Sequence, residues 1–122
     1  MKYLCLVYFE QQVLDALSVS DDAALTRESL DYDNELRASG HYIASAALKP
    51  VSSATTVRMR GGKMSMADGP FAETKEIMGG FILIEARDLN EAIRIAGNIP
   101  MAKRGSIEVR PVQILDPSGA RA

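Results

Sequence analysis

The sequence contains few of the residues from which metal centres and covalent cross-links are made. It has one cysteine, one histidine and no tryptophan. The single cysteine, Cys5, cannot form an internal disulfide, and its place in an apolar run predicts a small buried side chain. The histidine, His41, follows Gly40 at the predicted end of a helix, which favours a surface position. One imidazole without further cysteines does not form a zinc or haem site, so we predict no metal and no cofactor.

An excess of positive charge and a long hydrophobic segment are also missing. The 14 basic residues are balanced by 16 acidic ones, and a net charge of −2 disfavours direct binding to nucleic acid. The apolar run Tyr3–Phe9 is shorter than the about 20 residues of a membrane span, and it lacks the cleavage region of a signal peptide. We therefore predict a cytoplasmic protein that does not enter a membrane.

Common catalytic motifs and internal repeats are absent from the chain. It contains no P-loop, no glycine-rich dinucleotide motif after a strand and no nucleophile elbow. Its 122 residues fit a single domain. We place that domain at residues 1–115 and expect the small, polar tail 116–122 to be frayed.

Hydrophobic periodicity predicts strands at both ends of the chain and two helices between them. The first helix begins at a capping Ser20 and ends at Gly40. The second begins at Asp88, where Glu91 three residues later makes a capping-box-like start, and it ends before Pro100. The predicted buried stripes are Leu25, Ser29, Tyr32 and Leu36 in the first helix and Leu89, Ala92, Ile93 and Ala96 in the second. The predicted strands are Tyr3–Phe9, His41–Leu48, Thr55–Arg60, Lys63–Ala67, Phe81–Ala86 and Ser106–Leu115, with a hairpin turn at Gly61-Gly62 and an edge position at Pro111.

This order of elements predicts the fold class. It is the split βαβ pattern of an α+β, ferredoxin-like sheet with two helices on one face and an inserted β-hairpin. Both crossovers are expected to be right-handed, so both helices lie on the same side. The strands Tyr3–Phe9 and Phe81–Ala86 are apolar on the other side as well. We therefore predict a homodimer in which two sheets pack face to face around a cavity.

The loop Asp68–Glu76 holds the densest group of polar residues outside the helices. Asp68 is the best candidate for a general base, because it ends a strand at the mouth of the predicted cavity; alternatively, its side chain fixes a turn before Gly69-Pro70. Gly69 is expected to be extended because it precedes proline. Phe71 is expected to anchor the loop on the core, so that Glu73, a second catalytic candidate, and Lys75 project toward a ligand. A loop that merely joins two strands is the alternative.

The string DGPFAETKE from Asp68 to Glu76 also carries a family resemblance. Together with GGF, IEA, the opening KYLCLVYF and the closing SIEVRPV, it resembles the DGPF-type members of the YCII-related family from Lys2 to about Val112. The resemblance implies a dimeric α/β-barrel built from ferredoxin-like subunits and no established reaction. Some relatives are similar to proteins encoded beside extracytoplasmic-function sigma factors, which implies a regulatory protein partner as an alternative to a small polar ligand.

The resemblance also places a candidate site. The shorter YCII-like branch pairs a histidine on the first helix with an aspartate after the second, and these positions fall near Ser29 and near Asn98 or Ile99 here. The acid–base pair of that branch is therefore missing. Ser29 lies on the apolar stripe, where its hydroxyl bonds either a ligand or a backbone carbonyl one turn earlier.

Two charged residues in the last strand complete the list of candidates. Glu108 and Arg110 alternate with the aliphatic Ile107 and Val109, so the charged pair is expected to point to the dimer side. There Arg110 would hold a carboxylate by a two-pronged hydrogen bond, with Glu108 as an acceptor. Alternatively, the two charges protect an edge strand from aggregation.

Overall fold

The computed structural model describes residues 1–119 and 121. In this part of the chain, the six strands and the two long helices follow one another in the predicted order, with short 3₁₀ turns at Val51–Ser53 and Pro100–Lys103. The elements are β1 (Lys2–Phe9), α1 (Gln11–Asp15), α2 (Val19–Ala38), β2 (Tyr42–Ala47), β3 (Thr55–Arg60), β4 (Lys63–Asp68), β5 (Ile77–Glu85), α3 (Leu89–Gly97) and β6 (Ser106–Pro111). No helix among these is long and apolar enough to cross a membrane.

The main sheet has the strand order β2-β5-β1-β6, with every neighbouring pair antiparallel. Strands β3 and β4 form a separate two-stranded ribbon, whose turn residues Gly61 and Gly62 both have positive φ. This is the split βαβ arrangement with a hairpin inserted between β2 and β5. The predicted ferredoxin-like fold class is confirmed.

The core lies on one face of the main sheet. Alternate residues of β1 point to this face and pack against the buried sides of α2 and α3, as the period of two in a strand requires. The buried cluster includes Tyr3, Cys5, Val7 and Phe9 of β1, Leu25 and Leu36 of α2, Ile82 and Ile84 of β5, and Ala92, Ile95 and Ala96 of α3. Cys5 is fully buried, as predicted, and burial raises the pKa of its thiol to about 11.

The opposite face of the sheet carries a second set of apolar side chains. Leu4 of β1 lies beside Leu83 of β5, and Leu6 lies beside Phe81. All four side chains are half-buried. The two long helices pack on the core face, so this second face, here called the open face, keeps apolar surface in the subunit.

The start of the first long helix differs from the prediction. The N-cap is Ser18, whose hydroxyl accepts a 3.0 Å hydrogen bond from the backbone N–H of Asp21. Ser20, the predicted cap, already lies inside the helix. Both serines precede acidic residues, and the extended backbone at Ser18 decides between them. The segment before this helix contains the short helix α1, which is not predicted from the sequence.

The predicted cap of α3 at Asp88 is confirmed, but the buried stripe of this helix is rotated. The side chain of Asp88 accepts a 2.9 Å hydrogen bond from the N–H of Glu91. Ala92 and Ala96 are buried as predicted, whereas Leu89 and Ile93 are 47% and 52% exposed. Their predicted places are taken by Ile95 and Ile99, both 5% exposed. The two alanines let the helix approach the sheet closely, and this contact fixes which neighbouring isoleucines face inward.

The last strand is shorter than predicted. It ends at Pro111 on the edge of the sheet, which confirms the edge position, and does not reach Leu115. Leu115 instead forms an isolated bridge with Arg121. Within the tail 116–122, predicted to be frayed, Ala120 and Ala122 lie outside the described residues.

Candidate functional site

A cavity of about 450 Å³ lies between α2 and the sheet. Strands β1, β2 and β5 form its floor, α2 forms a wall, and the turn that follows α3 closes one end. Its apolar lining includes Val7, Phe9, Leu25, Ile82, Ile99 and Met101. We call this space the α2 cavity.

Small residues create the space for the cavity. The sequence of β2 is YIASAA, and Ser45, Ala46 and Ala47 line the floor. Gly80 of β5 lies so close to β2 that a Cβ atom there would be 2.7 Å from the carbonyl oxygen of Ala46. A Cβ atom on Gly79 would overlap the ring of Phe9. Both glycines lie within β5, and their lack of a Cβ atom allows β5 to approach β2 at Gly80 and the Phe9 ring at Gly79.

A chain of hydrogen bonds forms one polar corner of the cavity. The hydroxyl of Ser45 donates a 3.0 Å hydrogen bond to Oδ2 of Asp33, because a carboxylate can only accept. Ser45 Oγ lies 2.8 Å from the hydroxyl of Tyr42, which must therefore donate to it. The guanidinium of Arg37 lies 4.1 Å from the centre of the Tyr42 ring and packs on its face. The carboxylate of Asp33 in α2 is thus held by Ser45 of β2, and Tyr42 of the same strand supports Ser45.

Tyr32 borders the cavity with its ring but directs its hydroxyl elsewhere. The hydroxyl donates a 2.7 Å hydrogen bond to the carbonyl oxygen of Ile95 in α3. Burial is the main cause that raises the pKa of this phenol to about 12. Tyr32 therefore joins the two helices and offers the cavity an apolar surface.

Ser29 is the one predicted site residue that lines the cavity. Its side chain is half-buried, and within the described part of the chain its hydroxyl makes no hydrogen bond. The backbone carbonyl one turn earlier, expected as the alternative partner, does not take this role.

The two positions suggested by the family resemblance also lie at the α2 cavity. Ser29 and Ile99, near which the resemblance places the histidine and aspartate of the shorter YCII-like branch, both line the cavity. Asn98, the alternative position, instead donates from its side chain to the carbonyl oxygen of Arg94 at 3.0 Å. Neither cavity position carries an ionisable side chain, so a charge in this site must come from other residues.

Those charges come from two α2 residues that the sequence reasoning missed. Asp22 and Asp33 line the cavity together with Thr26 and Ser29. Their spacing of four, three and four residues follows the helical repeat, and it places a polar stripe directly beside Leu25. That pattern is visible in the sequence, but it is also typical of the solvent-facing side of a helix.

The loop Asp68–Glu76, here called the DGPF loop, lies outside the α2 cavity. Asp68 and Glu73 are exposed, and Lys75 forms a 3.5 Å ion pair with Glu10. The end of the loop is attached to β6, because Ser106 donates a 2.9 Å hydrogen bond to Glu76. In the single subunit these candidates do not converge on a common space.

Two local predictions for this loop are wrong, and the alternative role of Asp68 in fixing the turn is not observed. Phe71 is 77% exposed, so it does not anchor the loop on the core of its own subunit. Gly69 has φ of 93° and is not extended, since glycine tolerates this conformation even before proline. The turn is fixed by backbone: the N–H of Gly69 donates to the carbonyl of Ala54 at 2.7 Å, and Thr56 donates to the carbonyl of Gly69 at 2.8 Å. Among the described residues, the Asp68 side chain makes no hydrogen bond to this turn.

Glu108 and Arg110 lie on the open face. They stand opposite Leu6 and Leu4 of β1, and both are exposed. Ile107 packs against the core on the other side of the strand, as predicted. The charged pair is therefore separated from the α2 cavity by the thickness of the sheet.

His41 is more enclosed than predicted. Its side chain is 24% exposed, and Nδ1 lies 2.8 Å from the carbonyl oxygen of Glu85 and 3.8 Å from a carboxylate oxygen of Glu91. Glu91 also accepts a 2.9 Å hydrogen bond from the N–H of Arg87, the main cause that lowers its pKa. Within the described residues, no group of three or more histidine, cysteine, aspartate or glutamate side chains is arranged to hold a metal.

Known proteins are similar to this chain along nearly its full length. It is 35% identical over 119 residues to the uncharacterized protein R00369 of Rhizobium meliloti (strain 1021), which covers 96% of both chains. Among solved structures, it resembles 5-chloro-2-hydroxyhydroquinone dehydrochlorinase (TftG) from Burkholderia phenoliruptrix AC1100 in complex with 2,5-dihydroxybenzoquinone. The TM-score is 0.55 at 15% identity, with 98% of this chain and 100% of that chain covered, and this likeness shows a shared fold. The profile of the YCII-related domain matches residues 1–115, and the chain therefore belongs to the YCII-related family.

Proposed function

We propose that this protein binds a small organic molecule in the α2 cavity. The observation that carries the proposal is a space of about 450 Å³ with apolar walls and one polar corner. Ligand sites typically measure about 300–1,000 Å³ and combine apolar walls with a few placed polar groups. The polar corner is built from Asp33, Ser45 and Tyr42.

The structural neighbour supports the size of the ligand. That protein is an enzyme whose structure holds 2,5-dihydroxybenzoquinone, a single hydroxylated ring. A molecule of this size fits within the α2 cavity. Ligand-observed NMR with resorcinol and hydroquinone, two neutral hydroxylated rings of this size, is therefore the first screen, and we expect at least one of them to bind.

A cavity-filling variant tests where such a molecule binds. Ala47 lines the cavity floor opposite Gly80, so Ala47→Phe places a ring in the space. We expect this variant to lose binding while remaining folded by circular dichroism. Ala67→Phe, in the exposed strand β4, is the matched control and is expected to bind normally. Equal binding by both variants, or no binding of any compound to the unmodified protein, would contradict the proposal.

An acid–base enzyme is the more specific form of this proposal. It requires a carboxylate that contacts the ligand, and Asp33 and Asp22 are the carboxylates among the described lining residues of the α2 cavity. Asp68 and Glu73, predicted from the sequence, would take this role only where a second subunit encloses the DGPF loop. The variants Asp68→Ala and Glu73→Ala decide between the α2 cavity and the DGPF loop. If both bind the ligand with unchanged affinity, the loop is not part of the site.

We further propose that two copies pair through their open faces. The support is the half-buried apolar surface of Leu4, Leu6, Phe81 and Leu83, since such a surface is normally covered. A stable interface buries about 800 Å² on each partner. Light scattering is expected to give twice the subunit mass of 13.2 kDa. A subunit mass at micromolar concentration would contradict the pairing.

The regulatory alternative gains no support from the known proteins. The family match and the similar chains described above contain no link to a sigma-factor system or to a protein partner. Small-molecule binding is thus the function that the geometry favours.

A further inference from the structure

The charges that line the α2 cavity all have one sign. Asp22 and Asp33 are the charged side chains among its described lining residues, and no lysine, arginine or histidine is among them. The guanidinium of Arg37 packs on the ring of Tyr42 and does not line the cavity. An anionic ligand would leave water without finding an opposite charge, and it would approach two carboxylates. Both effects oppose binding of a carboxylate or phosphate.

The hydrogen-bond chain determines what the polar corner offers to a ligand. The proton of Tyr42 is used on Ser45, and the proton of Ser45 is used on Asp33. The free capacity at the end of the chain therefore consists of carboxylate lone pairs, which accept hydrogen bonds. Ser45 holds the carboxylate in one orientation, so this acceptor is positioned before a ligand arrives.

The other lining residues determine the polarity of the rest of the ligand. Leu25, Ile82 and Met101 present apolar surface. The hydroxyls of Thr26 and Ser29 can donate or accept a hydrogen bond, so they can pair with a donor or an acceptor on the ligand. A molecule that matches this lining has an apolar body and one strong donor.

We propose that the α2 cavity selects neutral or cationic ligands, and that Asp33 recognises their hydroxyl or ammonium group. This inference rests on the proposed function, because it names the class of ligand that the same cavity accepts. It differs from the carboxylate ligand expected at Arg110, which lies on the open face.

Three probes with the same ring test the selection by charge. Benzylammonium, benzyl alcohol and benzoate differ in the group attached to one ring and span the three charge states. In ¹H–¹⁵N correlation spectra at pH 7, we expect benzylammonium and benzyl alcohol to shift the amide signals of Ser45, Ala47 and Gly80. Benzoate is expected to bind at least about tenfold more weakly, as an unpaired like charge requires.

An isosteric variant tests the role of Asp33. Asp33→Asn keeps the shape and removes the charge, so the dissociation constant of benzylammonium is expected to rise about tenfold. That of benzyl alcohol is expected to change by less than about threefold, since the amide oxygen still accepts a hydrogen bond. Asp31→Asn, on the exposed side of the same helix, is the control and is expected to leave all three constants unchanged.

The possible outcomes separate the inference from the function on which it rests. If benzoate binds in the cavity as tightly as benzylammonium, the inference is overturned while small-molecule binding stands. If Asp33→Asn and Asp31→Asn affect benzylammonium equally, the role of Asp33 is overturned. If no probe shifts any amide of the cavity, the proposed function itself fails.

Discussion

The phenolic hydroxyl of Tyr32 in α2 donates a 2.7 Å hydrogen bond to the carbonyl oxygen of Ile95 in α3. These are the two long helices that cover the core face of the sheet. Since the pKa of this phenol is raised to about 12, it stays protonated and donates throughout the ordinary pH range. One side chain therefore joins the wall of the cavity to the helix beside it.

Tyr32→Phe is expected to lower the free energy of unfolding by about 1 kcal/mol, the usual net contribution of one hydrogen bond. The loss is moderate because Ile95 also accepts from the N–H of Asn98 at 3.2 Å. Urea denaturation followed by circular dichroism measures it. Tyr8→Phe, on the open face, is the control, and an equal loss in both variants would show that the interhelical bond contributes nothing.

Gly80→Ala is expected to destabilise the protein by about 1–3 kcal/mol, because its new methyl group would collide with the backbone of β2. Gly97→Ala is the matched control: a Cβ atom at the end of α3 meets nothing within 4 Å. There alanine is expected to stabilise the helix by about 0.5–1 kcal/mol. Thermal unfolding of both variants should shift in opposite directions, and two shifts of the same sign would refute the explanation.

Glu91 is expected to make stability depend on acidic pH. Its folded-state pKa lies below the ordinary value of 4.5, mainly because the carboxylate accepts from the N–H of Arg87. The stabilisation is therefore fully present above pH 4.5 and is lost as the pH falls through the folded-state pKa. The acid limb is the fall in urea midpoint between pH 7 and pH 3, and Glu91→Gln should make this fall smaller. Glu28→Gln, on the exposed side of α2, should leave the limb unchanged; a limb that stays equally steep without Glu91 would contradict the prediction.

Leu83→Glu is expected to convert the proposed dimer into single subunits. Leu83 lies between Leu4 and Ala44 on the open face, so the new carboxylate would be buried without a partner in the pair. Light scattering measures the mass, and circular dichroism checks the fold. Ile93→Glu, on the 52% exposed side of α3, should leave the mass unchanged. A dimer that survives Leu83→Glu would exclude the open face as the interface.

Local signals were sufficient to predict most elements. Gly61 and Gly62 both adopt the positive φ that a tight hairpin requires, and Asp88 caps α3 through its own side chain. Such features depend on neighbours within a few residues, so the sequence contains them directly. The rotation of α3 was missed because Ile93 and Ile95 are equally apolar, and contact with the sheet decides which of them is buried.

The α2 cavity could not be predicted in the same way. It exists because the small side chains of β2 face α2, and this depends on how a strand and a helix pack, not on either sequence alone. The contact between Asp33 and Ser45 arises from that packing. Phe71 shows the reverse error: an aromatic residue in a loop suggested an anchor, but backbone bonds at Gly69 already hold the turn.

The hydrogen bond between Ala54 and Gly69 closes the base of the β3–β4 ribbon at 2.7 Å. The main sheet uses neither strand of the ribbon, and most of its residues are exposed. The segment 55–68 is consequently a suitable site for loop replacement. A peptide of another length inserted there would begin and end at the same two neighbouring points, Ala54 and Gly69. Foreign epitopes or shorter turns inserted there should leave the four-stranded scaffold intact.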